Sequence, residues 1–228
     1  MLLALDTSTQ WAGVALYDGE KGLVAERNWR SGRQHTVELM PEVARLLELA
    51  GASATDLQAV GVALGPGSFT GLRVALAAAK GLALARGLPI VGAGTLDVVA
   101  YPHQDRAWPV VAVVEAGRGR LCWAIYEHGA RGWAARAPHV LSSVDELAGA
   151  LDGQAFFAGE LSSAERAFLA GRLGERARFL PPALAMRRAG YLAEIGWRRL
   201  QAGERDDPVT LSPIYASEPA TFKTTTVN

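Results

Sequence analysis

Hydrophobic residues occur in short continuous runs at the start of the chain and with helical spacing further on. Runs at residues 2–6, 11–17 and 23–29 predict three β-strands before any helix, with a hairpin turn after the second. Residues 36–50 repeat apolar side chains every three or four positions, which predicts an amphipathic helix. The pattern then predicts a strand at 57–64, a helix to about 86, a strand at 89–91 and a helix at 95–101.

The same order of elements begins again after a turn-rich segment at residues 102–105. The second half is predicted to contain strands at 110–115, 121–126 and near 133–140, a helix, a strand at 155–158, a helix at 163–173, a strand at 178–180 and a final helix at 183–201. This repetition predicts a duplicated α/β fold with mixed sheets. We expect an N-terminal lobe at 1–103 and a smaller C-terminal lobe at 104–228, whose last helix packs back on the first lobe.

Composition narrows the possible partners and surroundings of the chain. Its 228 residues include 23 basic and 23 acidic side chains, so it lacks the basic excess of proteins that grip RNA unaided. The single cysteine, Cys122, excludes a disulfide framework and a cysteine zinc site. The N-terminal residues include no basic segment of the kind that opens a signal peptide. The longest apolar stretch is too short to cross a bilayer. We therefore expect a cytoplasmic protein without a signal peptide or a membrane segment.

The segment GPGSFTGLR, residues 65–73, lies between an apolar run and an alanine-rich one. A glycine turn between a strand and a helix is a common phosphate cradle, because the helix N-terminus offers unpaired N–H groups. In such a cradle the glycines would contribute backbone N–H groups, the hydroxyl residues would donate hydrogen bonds and the arginine would add charge. These residues are Gly65, Gly67, Ser68, Thr70, Gly71 and Arg73. Alternatively, Ser68 or Thr70 caps the helix and the glycines only turn the chain. The second interpretation is favoured, because the lysine of a P-loop and an acid for magnesium are missing.

Asp6, Thr7 and Ser8 follow the first predicted strand and precede a β-turn. On their own they are typical of an Asx turn. In a duplicated actin-like fold, however, this hairpin is the place of the nucleotide phosphates and magnesium, and Glu115 stands at the matching place in the second half. Together with the glycine loop, these residues are interpreted as vestigial phosphate loops.

Other catalytic motifs are missing from the sequence. No G-x-S-x-G nucleophile elbow occurs, and the four histidines include no H-x-x-x-H pair and lie near no cysteine. We therefore expect no catalytic residue and no metal site.

The helix after the glycine loop carries a stripe of small residues at every fourth position, along which a second helix could approach closely. We expect this stripe, with apolar side chains from the 36–50 helix, to form a partner-binding surface. Its residues are Leu39, Val43, Leu46, Gly71, Ala75, Ala79 and Ala83. Alternatively, the stripe packs inside the protein, and Ala79→Trp would then lower the melting temperature of the monomer.

Three segments resemble the YeaZ-like TsaB family of threonylcarbamoyladenosine biosynthesis proteins, once grouped with glycoproteases: LALDTST, GVALGPGSFTGLRVALAAAKGLA and VVEAGRGRLCWAIYE. The resemblance implies a two-lobed actin/Hsp70-like fold and a scaffold that is not itself an enzyme and needs no cofactor. It also implies a heterodimer with the catalytic relative TsaD, which the ATPase TsaE joins. Together these proteins transfer threonylcarbamoyl to the adenosine beside the tRNA anticodon. The chain would meet tRNA only through this complex and would form a homodimer when TsaD is absent.

Two departures from the family pattern weaken the case for nucleotide binding by the second lobe and for the family's docking of the C-terminal tail. Glu115-Ala116-Gly117-Arg118 replaces the usual Asp-Ala-Arg, and Tyr215-Ala216-Ser217 replaces Tyr-Leu-Arg. An alternative is a small-molecule phosphotransferase on the same fold, for which Asp6 and Glu115 would supply one carboxylate from each lobe. The older family name suggests a peptidase. The sequence contains neither a nucleophile motif nor a pair of metal ligands that would support this function.

Overall fold

The computed structural model describes residues 1–32, 34–130 and 132–216. The first half contains β1 (Leu2–Asp6), β2 (Trp11–Asp18), β3 (Gly22–Arg30), α1 (His35–Leu49), β4 (Ala59–Gly65), α2 (Phe69–Arg86), β5 (Ile90–Gly94) and α3 (Thr95–Ala100). The second half contains β6 (Val110–Glu115), β7 (Leu121–Gly129), β8 (Gly132–Ala135), β9 (Val140–Ser142), α4 (Val144–Gly149), β10 (Ala155–Gly159), α5 (Ser163–Leu173), β11 (Ala177–Phe179), α6 (Pro182–Ala185) and α7 (Ala189–Gln201). Ser217, part of the C-terminal departure noted above, lies outside the described residues.

The two sheets repeat one strand order. The first sheet runs β3-β2-β1-β4-β5 and the second runs β8-β7-β6-β10-β11, with β9 also paired to β7. In each sheet the central strand is antiparallel to the neighbour that follows it in sequence and parallel to the neighbour on its other side. The predicted fold class, a duplicated α/β fold of the actin/Hsp70 type with mixed sheets, is confirmed.

Apolar side chains on both faces of each sheet explain why the central strands read as continuous hydrophobic runs. All five residues of β1 are buried, between α1 and α2 on one face of the sheet and α7 on the other. In the second sheet, one core lies beside α3 and α6 and the other beside α4 and α5. The last long helix, α7, thus packs on the sheet of the first half.

Two predicted elements differ from the structure. The strand expected near 133–140 is divided into β8 and β9, which pair with opposite ends of β7. The helix expected at 183–201 is divided into α6 and α7, because Met186 and Arg188 adopt extended backbone conformations. This break turns Arg187 toward the end of β1, where its side chain finds the partners described below.

The prediction that the stripe of small residues forms a partner-binding surface is wrong, because its residues are buried. The small residues of α2 face the first sheet, and the apolar side chains of α1 pack beside them in the same core. Each of these seven residues is buried: Leu39, Val43, Leu46, Gly71, Ala75, Ala79 and Ala83. The small side chains let α2 lie close to its own sheet, so the internal-packing alternative accounts for the stripe.

Candidate functional site

Arg187 connects strand ends from the two halves of the chain. Its Nε donates to Asp6 Oδ2 at 2.6 Å, and its Nη1 donates to Glu160 Oε1 at 2.9 Å. Its Nη2 donates to Thr9 Oγ1 at 3.1 Å and to the carbonyl oxygen of Trp11 at 2.9 Å. Asp6 ends β1, and Glu160 directly follows β10. We call the side chains of Asp6, Thr9, Glu160 and Arg187 the arginine junction.

The arginine junction is a buried ion triad. The side chains of Arg187 and Asp6 each expose only 3% of their surface, and that of Glu160 exposes 13%. Burial disfavours the charged guanidinium, but the charges of Asp6 and Glu160 outweigh it and hold the pKa of Arg187 above its usual value. One permanently charged group therefore neutralises the two carboxylates in part and fixes both in place.

Asp6 is fully engaged within the protein. Its Oδ1 accepts hydrogen bonds from the backbone N–H and the hydroxyl of Ser8 at 2.8 and 2.5 Å, while Oδ2 accepts from Arg187. Thr9 adds a bond from its hydroxyl to Glu160 Oε1 at 2.5 Å. A metal ion or a nucleotide phosphate at this position would have to displace the guanidinium.

The glycine loop packs closely against the backbone of the hairpin that follows β1. A Cβ on Gly67 would lie 2.1 Å from the carbonyl oxygen of Ser8, and one on Gly71 would lie 2.0 Å from that of Thr7. The hydroxyl of Thr7 donates to the Gly71 carbonyl at 2.6 Å and accepts from the N–H of Ala75 at 3.1 Å. Close approach of two backbones, rather than a bound phosphate, therefore explains these glycines.

The remaining polar residues of the loop also have structural roles. Ser68 caps α2 by accepting from the N–H of Gly71 at 3.3 Å, as the second sequence interpretation proposed. Arg73 lies 3.7 Å above the ring of Phe69 and donates to the hydroxyl of Tyr215 at 3.0 Å. Thr70 is exposed and faces the space between the lobes.

The second predicted carboxylate, Glu115, does not join Asp6. It is exposed at the end of β6, where the side-chain amide of Gln10 donates to it at 3.3 Å. Glu115, Thr70 and Ser68 line an open cleft of about 1020 Å³ between the two halves of the chain. Glu115 ends β6 as Asp6 ends β1, which is the matching place expected from the sequence, whereas Glu160 is the carboxylate that shares Arg187 with Asp6.

Three members of the arginine junction were missed as functional residues. Glu160 follows a parallel strand that pairs with β6, and the carboxyl ends of parallel strands meet at one sheet edge, so its position offered a signal. Thr9 lay inside the quoted DTST motif but was not given a role. Arg187 had no signal, because it lies inside the predicted helix and no glycine or proline stands between Ala183 and Ala189.

The outer faces of α1 and α2 form an apolar groove. Met40 and Phe69, which line it, expose 43% and 55% of their surfaces. A concave space of about 480 Å³ lies between the two helices, and Met40, Phe69 and Ala77 line it. We call this surface the helix groove. The α2 residues that line it, which include Phe69, Arg73, Val74 and Ala77, do not belong to the buried stripe.

Neither a metal cluster nor a membrane-spanning helix is present among the described residues. No group of histidine, cysteine, aspartate and glutamate side chains there is arranged to hold a metal ion. In that same part of the chain, every helix is too short or too polar to span a bilayer.

Comparisons with known proteins point to one family. A family model described as TsaD, tRNA N6-adenosine threonylcarbamoyltransferase, matches residues 29–222. The tRNA threonylcarbamoyladenosine biosynthesis protein TsaB of Escherichia coli (strain K12) is 37% identical over 133 residues, covering 58% of this chain and 57% of that protein. The protein of the same name from Haemophilus influenzae is 39% identical over 118 residues, covering 50% of this chain and 49% of that protein. The alignments thus span about half the length of these curated relatives.

A solved structure matches nearly the whole chain. YeaZ from Pseudomonas aeruginosa has a TM-score of 0.74 and 27% sequence identity, covering 94% of this chain and 98% of that one. The similarity of the two-lobed architecture therefore extends well beyond the segment aligned with the curated relatives.

Proposed function

The chain belongs to the TsaD family, tRNA N6-adenosine threonylcarbamoyltransferase, as a TsaB-like member, and we propose that it is a non-catalytic subunit needed for that transfer. In this proposal it forms a heterodimer with TsaD in the cytoplasm and supports threonylcarbamoyl transfer to the adenosine next to the tRNA anticodon. TsaE joins the heterodimer in an ATP-dependent step. The chain contacts tRNA within the complex and pairs with a second copy of itself when TsaD is absent.

The arginine junction is the observation that supports a non-catalytic role. A phosphotransferase on this fold needs carboxylates at the ends of its central strands to hold magnesium and position phosphates. Here the carboxylates that meet at that place, Asp6 and Glu160, are bound by an internal guanidinium. The fixed positive charge of Arg187 between these carboxylates supports the proposal that they serve the fold rather than a catalytic cation.

The helix groove replaces the buried stripe as the proposed TsaD-binding surface. Large apolar side chains gathered in one exposed concave surface are typical of protein interaction sites. Phe69 adds an aromatic anchor beside the guanidinium of Arg73, and these residue types are enriched at interface centres. A helix of TsaD packed along Met40 and Ala77 would cover this surface.

Two alanines on opposite faces of α2 test the interface. Ala77 is exposed in the helix groove, whereas Ala79 is fully buried against the first sheet. Ala77→Trp should weaken binding to purified TsaD at least tenfold, measured by titration calorimetry, and leave the melting temperature unchanged. Ala170→Trp, an exposed substitution on α5, is the matched control and should leave both TsaD binding and the melting temperature unchanged. Equal TsaD binding by wild type and Ala77→Trp would place the interface elsewhere.

Activity measurements test the non-catalytic role separately. The isolated chain should hydrolyse no ATP and cleave no protein substrate, while its addition to TsaD, TsaE and tRNA should be required for threonylcarbamoyl transfer. ATP turnover by the isolated chain that disappears in Asp6→Ala would instead identify a phosphotransferase.

A further inference from the structure

A cavity of about 520 Å³ lies where α7, α3 and the end of β5 meet the second sheet. Asp97 and Tyr101 contribute from the first half, Tyr126 and Trp133 from the second, and Arg198 from α7. We call it the aromatic cavity. It shares no lining residue with the cleft beside Glu115, and its volume is within the range of about 300–1,000 Å³ for small-molecule sites.

Three aromatic rings form the walls of the aromatic cavity. The rings of Tyr126 and Trp133 are stacked with centroids 6.2 Å apart, and the guanidinium of Arg198 lies 5.3 Å from the centre of the Tyr101 ring. The indole Nε1 of Trp133 is buried and has no hydrogen-bond acceptor among the described residues. Because this nitrogen is shielded from solvent, Trp133 contributes its ring to the cavity rather than this donor.

Asp97 adds a hydrogen-bond acceptor at the mouth of the cavity. The hydroxyl of Tyr126 donates to Asp97 Oδ1 at 2.6 Å. Burial, and then the negative charge of Asp97, raise the pKa of Tyr126, so this tyrosine remains a donor and fixes the carboxylate. Asp97 is exposed, and within the described part of the chain its Oδ2 receives no hydrogen bond.

We propose that the aromatic cavity binds one unstacked nucleobase. Aromatic rings and guanidinium groups stack on the faces of bases, while a carboxylate accepts from an exocyclic amino group. An aliphatic or phenyl side chain in the cavity would give Asp97 Oδ2 no hydrogen-bond donor. The base comes either from a free nucleoside or from a nucleotide turned out of an RNA, and only the second source rests on the proposed function.

Binding by the isolated chain tests the proposal without TsaD. Adenosine, guanosine, cytidine, uridine and an anticodon stem-loop RNA would each be titrated and followed by saturation-transfer NMR. Resonance transfer to a nucleoside identifies a free-nucleoside site, and transfer to unpaired bases of the RNA alone identifies an RNA contact. No transfer to any of the five probes overturns the proposal.

Two variants connect any binding to this cavity. Trp133→Ala should weaken binding about tenfold or more, as expected for loss of a stacking ring, whereas Trp108→Ala, a tryptophan stacked on Phe156 elsewhere in the second half, should not. Asp97→Asn, which keeps a side-chain oxygen that can accept from Tyr126, should reduce the preference for bases with an amino group relative to uridine. Equal losses in Trp133→Ala and Trp108→Ala, or an unchanged preference in Asp97→Asn, would overturn the assignment.

The same variants separate this inference from the proposed function. Trp133→Ala should retain TsaD binding, because Trp133 is remote from the helix groove. Loss of nucleoside binding with intact TsaD binding therefore supports the cavity independently. Failure of the chain to bind TsaD would leave a positive nucleoside result standing.

Discussion

Arg187 Nε lies 2.6 Å from Asp6 Oδ2, although the two residues are 181 positions apart in the chain. The contact ties the end of the first strand to the break between the last two helices, and both side chains are almost fully buried. Because Glu160 shares the same guanidinium, one residue holds together segments from the beginning, middle and end of the sequence.

Arg187→Met should lower the free energy of unfolding by about 3–5 kcal/mol, because it leaves two buried carboxylates without their cation. Chemical denaturation at pH 7 measures this loss. The control is Arg188→Met, which removes a cation whose side chain is 41% exposed and paired with Glu26, and it should cost no more than about 1 kcal/mol. Similar losses in the two variants would show that the arginine junction contributes no special stability.

Much of the fold was predictable because its elements follow local hydrophobic patterns. The buried runs of β1 and β4 and the amphipathic spacing of α1 each indicate their element without reference to the rest of the chain. The division between α6 and α7 was not predictable, since the apolar period continues through Arg187. Tertiary ion pairs, which local periodicity does not encode, stabilise that break.

The site was less predictable than the fold, for two physical reasons. A stripe of small residues such as Ala75 and Ala79 permits close packing against any surface, so its spacing did not distinguish the protein's own sheet from a partner. The arginine junction is assembled from three distant segments, and its pairings depend on the folded topology alone. The helix cap at Ser68 was predictable because capping is local.

Gly67→Ala and Gly71→Ala should each destabilise the chain by about 2 kcal/mol or more, because a methyl group at either position overlaps a backbone carbonyl oxygen. Gly81→Ala is the matched control, because Gly81 lies in α2 together with Gly71. A methyl group there meets nothing within 4 Å, so it should stabilise the chain by about 0.5–1 kcal/mol through helix propensity. Thermal melts of the three variants test this. A phosphate cradle without backbone crowding would predict tolerance of alanine at Gly67.

Ala79→Trp should lower the melting temperature of the isolated chain, whereas Ala77→Trp should not. Ala79 is completely buried between α2 and the first sheet, so an indole there forces the helix away from the strands, at a cost of about 1–3 kcal/mol or more. Ala77 faces outward, and the indole of a tryptophan at this position remains in solvent. Calorimetric melts of both variants check the expectation, and an unchanged melting temperature in Ala79→Trp would contradict the buried position of the stripe.

His103 should make the stability of the chain fall as the pH is lowered below about 6.5. Burial, and then the nearby charge of Arg106, lower the pKa of His103 to about 4 in the folded protein. Between about pH 6.5 and 4 the unfolded chain therefore binds a proton that the folded chain does not. Stability is fully present above this interval and is lost as the pH falls through it, by about 2 kcal/mol between pH 7.5 and 5.

His103→Gln should remove this slope, whatever its effect on stability at pH 7.5. Denaturant midpoints at pH 7.5 and pH 5 measure the difference, and carboxylates of ordinary pKa remain ionised at both values. His128→Gln, at an exposed position on β7, is the control and should keep the wild-type slope. If His103→Gln and wild type lose the same stability between the two pH values, another group carries the proton uptake, and His35, whose pKa is also lowered by burial, is the next to substitute.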